Sequence, residues 1–243
     1  MGIEYLDNIR RLLDKLENTQ SETIDRVSRI CAEKVAGGGL MYFFGTGHSH
    51  MIAEEPFYRA GGLACVYPIF ETDLMLHEGA SKSSAYERME GLGQHIVANT
   101  PLNKGDIIFL ASNSGRNAVI IDVALEAKRR GATTVAITSL THSGSVSSRH
   151  SGGKRLFEVC DYVIDNGGVV GDASVFFEGL SHPIAPTSTI IDVSIVNLIS
   201  IGTARYLVEM GVKPPVFESA NTDTGDSSNK SVIETYKKRI PML

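Results

Sequence analysis

The segment from Ile107 to Asn117 constrains the fold more than any other part of this chain. It opens with five apolar residues, IIFLA, which is typical of a strand buried on both faces of a sheet. The polar loop SNSGRN follows at once, and apolar residues at helical spacing then predict a helix over 116–130 that Gly131 closes. The backbone N–H groups of such a turn and the dipole of the following helix favour a negative charge. We therefore predict that this loop binds a phosphate group.

Strands and helices alternate along the central part of the chain. The predicted strands cover 40–44, 63–67, 107–111, 133–138 and 161–164. The predicted helices cover 49–60, 84–98, 116–130 and 188–210, with Thr187 as the N-terminal cap of the last one. This alternation is typical of parallel βαβ units, so we expect an α/β fold in which five parallel strands carry helices on both faces. Such sheets bind ligands outside the carboxyl ends of the strands, where the strand order reverses.

Two terminal segments flank the predicted core at 37–211. Residues 1–36 have apolar residues at helical spacing, and the capping-box pattern of Thr19 and Glu22 predicts a hairpin of two helices. That hairpin is expected to pack on the core or on a partner subunit. The tail at 212–243 begins with a helix-breaking Pro-Pro pair, continues as the polar stretch ESANTDTGDSSNK and ends with a short predicted helix. We expect the tail either to be solvated or to fold over a site.

Charge and cysteine content limit the function classes. A net charge of −5 and a pI near 5.8 argue against extended contact with nucleic acid or with a membrane surface. The three cysteines lie far apart in the chain, which suggests free thiols in a reducing compartment. The chain begins without a signal-type apolar run, and no apolar stretch approaches the roughly 20 residues of a membrane span. A cytoplasmic protein is therefore expected.

A second polar loop, GTGHSH, follows the first predicted strand. Gly45 and Gly47 would let the backbone approach a ligand closely, and Ser49 would lie near the first turn of the next helix. The glycine pattern does not continue as a dinucleotide fingerprint would, and the chain has no phosphate-loop motif of a nucleoside triphosphatase. Two serine-bearing loops at neighbouring strand ends favour one phosphorylated small molecule over a nucleotide.

Three motifs in order, GTGHS, SNSGRN and APTST before the long last helix, resemble the SIS (sugar isomerase) domain family, and in particular its phosphoheptose isomerase branch. The resemblance implies a flavodoxin-like five-stranded fold that binds phosphosugars. Asn117 stands where many members have Thr or Ser, and its amide can still donate a hydrogen bond. The residues that the resemblance assigns to phosphate or sugar binding are Gly45, Gly47, Ser49, Ser112, Asn113, Ser114, Gly115, Asn117, Thr187 and Ser188.

Candidate catalytic residues also come from this resemblance. Moving a proton between C1 and C2 of a phosphosugar needs a base and an acid. Glu55 matches the second Glu of the A-E-E motif, which acts as the base in phosphoheptose isomerases. His77 and Glu78 lie where other SIS isomerases have a catalytic His or Glu, although a surface role for a loop His is an equal alternative. Phosphoheptose isomerases carry a catalytic His on the last long helix, whereas this helix offers Asp192 and Asn197 but no His, and Asp192 would serve as acid or base if it faces the pocket.

Metal ligands and positive charges are less well defined by the sequence. His48, His50 and Glu54 have spacings that suit a metal at a helix start, and some phosphoheptose isomerases bind zinc near this position. A complete site needs three or four ligands, and because the remainder is not evident in the sequence we expect no cofactor, with zinc as the alternative. Arg59, Lys82 and Arg88 either add positive charge to the pocket or lie on the ordinary surface. The basic, hydroxyl-rich loop 141–155 is expected to be a mobile surface loop, with contact to the substrate or to a neighbouring subunit as the alternative.

The three motifs and the acidic candidates together lead to one functional hypothesis. We expect an aldose–ketose isomerase of a sugar phosphate that works through an enediolate. The apolar stripes of the terminal helices suggest a homodimer or homotetramer with shared active sites. Two alternatives stay open: a non-catalytic phosphosugar sensor, and a sugar-phosphate lyase that cleaves an ether on the same scaffold.

Overall fold

The computed structural model describes residues 2–222 and 225–243, so Asp223 and Thr224 of the predicted polar tail lie outside the described residues. The helices are α1 Ile3–Ala36, α2 Met51–Glu54, α3 Ala80–Tyr86, α4 Leu92–Ala98, α5 Ala118–Arg129, α6 Leu140–Gly144, α7 Leu156–Val159, α8 Ser188–Glu209 and α9 Gly225–Tyr236. The strands are β1 Met41–Gly45, β2 Val66–Pro68, β3 Ile107–Ala111, β4 Thr133–Thr138, β5 Tyr162–Asp165, β6 Ala173–Val175 and β7 Ile184–Pro186.

The central sheet has five parallel strands in the order β2-β1-β3-β4-β5. This is the order of flavodoxin-like folds, so the predicted fold class is confirmed. Strand order reverses between β1 and β3, which pair in register from Met41 opposite Ile107 to Gly45 opposite Ala111. The two polar loops predicted to bind the ligand therefore leave the sheet side by side.

Burial explains why these strands form at the centre. Every residue of β1 and of β3 is buried, and Phe43 stacks on Phe109 with ring centroids 4.7 Å apart. Helices α1, α2 and α8 pack together, while α4, α5 and α7 form a second group, so both faces of the sheet are covered. Strands that are apolar on both faces need this double cover, because each face must be removed from water.

The N-terminal segment is one continuous helix of 34 residues, so the predicted hairpin of two helices is wrong. Thr19 does not cap a second helix. Its hydroxyl donates to the carbonyl oxygen of Lys15 at 2.8 Å, and the amide of Asn18 donates in the same way to Asp14. Side chains that bond a carbonyl four residues back stay compatible with a helix. Since no Gly or Pro interrupts the polar stretch, α1 continues through it and packs along α8.

Two predicted helices are shorter than expected. The helix predicted over 49–60 is a 3₁₀ turn at Gly47–His50 followed by α2, because Pro56 lacks the N–H that would continue it. The helix predicted over 84–98 is divided into α3 and α4 around Gly91, whose φ of +90° is outside the helical region. The longer predicted helices, α5 and α8, are confirmed within two residues.

The edges of the fold differ more from the prediction. The strand predicted over 63–67 is confined to the three residues of β2, and Leu63 forms an antiparallel bridge to Val216 of the tail instead. The antiparallel pair β6–β7 before α8 was not predicted. Both of its strands are only three residues long, which is too short for a clear alternation of apolar and polar residues.

The C-terminal tail packs on the sheet and ends near its amino edge. The predicted short helix is confirmed as α9, and Tyr236 and Ile240 join the hydrophobic core. Arg239 donates to both carboxylate oxygens of buried Asp106, at 2.8 and 3.1 Å. Asp106 precedes β3, so this contact lies at the edge opposite the phosphate-loop candidate.

Helix α8 has 22 residues and, among the described helices, is the one that passes a membrane-span test by length and composition. This differs from the expectation that no apolar stretch approaches that length. Half of its most apolar window is buried inside the fold. Such burial is typical of a core helix, and α8 owes its apolar character to packing against α1 and α2.

Candidate functional site

The loop after β1 is shaped by a close approach of backbone to backbone. A Cβ atom on Gly45 would lie 2.3 Å from the carbonyl oxygen of Ser49, so only glycine fits there. Gly47 has a φ of +54°, in the left-handed region that glycine adopts without strain. The N–H of Ser49 donates to the carbonyl of Thr46 at 3.0 Å. These contacts fold the loop back, and Ser49 lies partly exposed beside the end of β1.

Hydrogen bonds within the loop after β3 and from the end of β4 fix its conformation. They leave hydroxyl donors of the loop available for a ligand. The Ser112 hydroxyl oxygen accepts from the N–H of Gly115 at 3.1 Å, which leaves its own hydrogen to donate. Thr138, at the end of β4, donates to the carbonyl oxygen of Ser112 at 2.7 Å. Gly115 has a φ of +58°, and a Cβ there would lie 2.8 Å from the Ser143 hydroxyl. Ser114 is partly exposed in the same turn.

A buried chain of amides connects this loop to Asp192. The side-chain amide of Asn166 donates to Asn113 Oδ1 at 3.0 Å and to Asp192 Oδ1 at 2.9 Å. Burial raises the pKa of Asp192 to about 7, and the nearby charge of Asp172 acts in the same direction, while the hydrogen bond from Asn166 opposes it. The Asn113 Nδ2 atom is buried and has no hydrogen-bond partner among the described residues. An unpaired buried donor is costly, so this atom is a ready contact for a ligand.

His50, Glu54 and His77 come together beside the first loop. His50 Nε2 lies 3.0 Å from Glu54 Oε1, and the rings of His50 and His77 meet edge to face with centroids 5.3 Å apart. Ligand atoms of the three residues all lie within 4.8 Å of one another. The sequence indicated His50 and Glu54, and the structure adds His77 as the third group, while His48 is exposed and outside the cluster.

This cluster fits a divalent cation. The carbonyl oxygen of Gly47 can only accept, so His50 Nδ1 is the protonated nitrogen that faces it. In the neutral ring, Nε2 then presents a lone pair to the carboxylate of Glu54, and that arrangement is repulsive unless a proton or a cation lies between them. Two imidazoles and a carboxylate are ligands that zinc accepts, and a backbone carbonyl on the second ring nitrogen is the usual way of orienting a ligating His.

The other acidic candidates lie apart from this cluster. Glu55 is partly buried and accepts from the Asn197 amide of α8 at 2.9 Å and from Arg59, and these two contacts fix the position of its carboxylate. Glu78 is exposed and lies 3.6 Å from Lys82. Adjacent residues of a helix point about 100° apart, which explains why Glu54 and Glu55 have different partners. The described contacts therefore join His77 to His50, and leave Glu78 on the surface.

The third motif, APTST, directs its hydrogen-bond donors to a carboxylate of the protein itself. The N–H groups and the hydroxyls of Thr187 and Ser188 all donate to the carboxylate of Asp172, at 2.6 to 3.3 Å. Thr187 was predicted to cap α8 with its own hydroxyl, and this is wrong because Asp172 supplies the capping oxygen. Asp172 and Ala185 both have positive φ values, of +68° and +62°, so the hairpin that carries this contact is strained at both ends.

Hydrogen bonds anchor the loop 141–155 to residues beside the site. Arg149 donates to Asn117 Oδ1 at 2.8 Å, which turns the amide nitrogen of Asn117 away from the guanidinium and leaves it to donate elsewhere. His150 contacts the buried carboxylate of Asp122 at 3.2 Å, and Ser151 donates to Glu90. These anchors hold the loop beside the N-terminus of α5.

Three functional candidates were missed from the sequence. Asn166 follows the end of β5, so the rule that polar residues at the strand ends meet could have found it. Asp172 and Arg149 lie in loops whose paths no periodicity determines, and nothing in the sequence indicated their contacts.

Comparison with known proteins identifies the family. The SIS domain family matches residues 4–139. The UPF0309 protein GK1441 of Geobacillus kaustophilus is 44% identical over 240 residues, which cover 99% of this chain and 96% of the relative. A UPF0309 protein of Listeria monocytogenes is 41% identical over 239 residues, which cover 98% of this chain and 97% of the relative.

Two solved structures share the fold. A phosphoheptose isomerase from Francisella tularensis superposes with a TM-score of 0.55 at 13% identity, over 83% of this chain and 95% of that one. The phosphoheptose isomerase GmhA from Neisseria gonorrhoeae does so with a TM-score of 0.52 at 16% identity, over 84% of this chain and 95% of that one. The predicted resemblance is confirmed, and the chain belongs to the SIS domain family and, within it, to the UPF0309 proteins.

Proposed function

We propose that this protein binds a sugar phosphate at the switch point between β1 and β3 and interconverts its aldose and ketose forms. The observation that carries the proposal is the loop at 112–117. It combines free hydroxyls with the N-terminus of α5 and with the buried, unpaired amide nitrogen of Asn113. A loop that offers hydroxyl, amide and backbone N–H donors at a helix N-terminus suits a phosphate dianion. Membership of the SIS family and the fold shared with two phosphoheptose isomerases support it.

The chemistry we propose is proton transfer between C1 and C2 through an enediolate. Glu55 takes the role of the base, because Arg59 and Asn197 hold its carboxylate in one orientation. The side-chain amide of Asn166 links Asp192 to Asn113. The raised pKa of Asp192 would keep its carboxyl group partly protonated near neutral pH. In its neutral form Asp192 adds no negative charge next to the phosphate loop. We therefore assign it this role rather than that of a second base.

The binding part of the proposal is tested by thermal shift. Ser112→Ala combined with Ser114→Ala removes two hydroxyl donors of the loop, and we expect it to abolish the stabilisation that sugar phosphates give to the wild type. Ser21→Ala, on the exposed side of α1, is the matched control and should leave that stabilisation unchanged. Equal stabilisation of the double variant and the wild type would overturn phosphate binding at this loop.

The catalytic part is tested by exchange of the C2 hydrogen with solvent deuterium over a panel of C5 to C7 sugar phosphates and amino-sugar phosphates. Glu55→Gln should abolish exchange and keep binding, and Glu234→Gln, which changes an exposed carboxylate of α9, is the control that should keep exchange measurable. Exchange that survives in Glu55→Gln would show that Glu55 is not the base. Binding of the panel without any exchange by the wild type would refute the isomerase and favour a phosphosugar sensor or a lyase.

We further propose that His50, Glu54 and His77 hold a divalent cation, with zinc as the first candidate. When bound, such a cation would polarise a carbonyl or hydroxyl oxygen of the sugar. Calorimetric titration of the metal-stripped protein with Zn²⁺ tests this, with His77→Ala as the variant that should weaken binding and His48→Ala as the control that should not. Equal affinities of the two variants would show that His77 is not a ligand.

The subunit arrangement is also a proposal. Several apolar side chains of α1 and α8 are exposed, including Leu6, Ile201 and Val208. We propose that these helices pair with a second copy of the chain in a homodimer or homotetramer. Ile201→Lys is expected to lower the mass measured by sedimentation equilibrium, and Leu125→Lys, an exposed apolar residue of α5, is the control.

A further inference from the structure

Three arginines surround the N-terminus of α5, next to the loop at 112–117. Arg116 belongs to that loop, and its guanidinium donates to the carbonyl of Ser147 at 2.9 Å. Arg149 donates through its backbone to the carbonyl of Arg116 and through its side chain to Asn117, both at 2.8 Å. Arg88 follows Glu87, whose carbonyl accepts from the N–H of Val119 in the first turn of α5. The three side chains therefore come from three separate segments that converge on one place.

These three guanidiniums are not neutralised. Among the ion pairs found in the part of the chain that the structure describes, none includes Arg88, Arg116 or Arg149. The carboxylate that faces them is that of Glu87, which accepts from Thr46 at 3.0 Å and lies beyond ion-pair distance. Burial and the charges of Arg116 and Arg88 lower the pKa of Arg149, which shows that the like charges lie close enough to repel one another. A cluster of this kind, in a chain of net charge −5, favours an anion.

An open hollow adjoins this cluster. It has a volume of about 380 Å³ and is lined by Ser81, Ser84 and Arg88 together with two alanines of α3. Helix α3 contacts the 3₁₀ turn at Gly47–His50, so the hollow lies on the same side of the sheet as the first ligand loop. Hydroxyls and a guanidinium at its wall are groups that bind carboxylate or phosphate oxygens.

We propose that Arg88, Arg116 and Arg149 bind a second anionic group of the ligand, so that the substrate is a sugar phosphate that carries a carboxylate or a second phosphate. This inference rests on the proposed binding of one phosphate at the loop 112–117. That loop supplies backbone N–H groups, hydroxyls and a helix dipole, which suffice for one dianion without any arginine. Arg116 inside the loop and Arg88 and Arg149 beside it are in excess of one phosphate, and a second anionic group accounts for them.

The test compares matched ligands that differ by one anionic group. Dissociation constants are measured by calorimetry for glucose 6-phosphate against 6-phosphogluconate, and for ribulose 5-phosphate against ribulose 1,5-bisphosphate. The first pair adds a carboxylate and the second adds a phosphate, so the two arms distinguish the sources of the charge. We expect the added group to tighten binding about tenfold or more in at least one arm, which is the effect of one good charge-assisted contact.

Arg88→Gln is the main variant, because Arg88 makes no side-chain contact with the phosphate loop. It should remove most of the gain from the added anionic group and leave binding of the monophosphate within about threefold, which is well under the tenfold step of 1.4 kcal/mol. Arg149→Gln should weaken both ligands of a pair, since it also loses its contact with Asn117. Arg155→Gln is the control, because Arg155 is paired with Glu158 and lies outside the cluster.

Each outcome decides the proposal. Equal affinities within both pairs would overturn it and leave the proposed function intact, provided that the monophosphate still requires Ser112 and Ser114. A gain that Arg155→Gln removes as fully as Arg88→Gln would show unspecific attraction, and would also overturn it. Absence of binding by all four ligands would overturn this inference together with phosphate binding.

Discussion

Two buried carboxylates lie at opposite edges of the same sheet and are treated differently by the fold. Asp106, at the amino edge, is 0% exposed and receives hydrogen bonds from two backbone N–H groups and from the Arg239 guanidinium. Asp192, near the carboxyl edge, is 2% exposed and, within the described part of the chain, receives one side-chain hydrogen bond, from the neutral amide of Asn166. Among the described residues, Asp106 therefore has a cation against it and Asp192 has none.

The difference separates a structural charge from a candidate functional one. A buried carboxylate with a cation and backbone donors holds segments together, here β1, β3 and the C-terminal tail. A buried carboxylate without a cation has its ionisation opposed by burial, which is the situation of Asp192. The fold therefore places a cation against the buried Asp106 at the amino edge of the sheet. Among the described contacts of Asp192, near the carboxyl edge where the ligand loops begin, it places none.

The largest effect is expected from Arg239→Met, which keeps the apolar stem and removes the charge that faces Asp106. Asp106 is buried although Arg239 is partly exposed, so removing the cation leaves an uncompensated buried charge and costs about 3 kcal/mol of the free energy of unfolding, measured by urea denaturation. Arg10→Met is the matched control, since its pair with Asp7 is exposed on both sides and is worth at most about 1 kcal/mol. Equal losses in the two variants would show that the Asp106 pair is no stronger than a surface pair.

A smaller effect, with a distinct pH dependence, is expected from Asp192→Asn. The pKa of Asp192 is raised from 3.8 to about 7, so the folded state holds a proton that the unfolded state has already released. Stability of the wild type should therefore fall as pH rises from about 4 to 7 and then level off, and the variant should lack this fall. Between pH 5 and pH 8 the variant should gain about 2 kcal/mol relative to the wild type.

The control for this pH dependence is Asp7→Asn, which changes an exposed carboxylate on α1. Its free energy of unfolding should follow that of the wild type at both pH values. A constant difference between Asp192→Asn and the wild type from pH 5 to pH 8 would contradict the raised pKa of Asp192.

The smallest effect is expected from Asn166→Ala, which removes the amide that joins Asn113 to Asp192. The variant loses three hydrogen bonds, to Asn113, to Asp192 and from the N–H of Gly168, which should cost about 1–2 kcal/mol at pH 5, where Asp192 is protonated. Because that hydrogen bond lowers the pKa of Asp192, its removal should extend the fall in stability to a higher pH than in the wild type. An unchanged pH profile would mean that Asn166 does not stabilise the ionised carboxylate.

The sequence predicted the centre of the fold well and its edges less well, for a physical reason. Strands β1 and β3 are uninterrupted apolar runs, and such runs have few alternatives to a doubly covered sheet. Helix α1 was predicted as two helices because polar residues that favour caps in isolation also bond back within a helix, as Thr19 does. Packing against α8 decides between these states, and it is not visible in the local pattern.

The candidate site divides in the same way. The loop at 112–117 could be predicted because a strand, a small polar turn and a helix follow one another directly in the chain. The meeting of His50 with His77 depends on the path of the connection through β2, and the contact of Asp172 with Ser188 depends on a strained hairpin. Periodicity carries no information about either path, so these contacts required the structure.

The pairing of Asp106 with Arg239 also has a consequence for the order in which the protein is made. The two residues are 133 positions apart, so at about 5–20 residues per second the carboxylate leaves the ribosome roughly 7 to 27 seconds before its cation. During that interval the amino edge of the sheet holds a charge that cannot be buried at low cost. Full compensation of this buried carboxylate therefore depends on the segment that follows α9, the last helix to be synthesised.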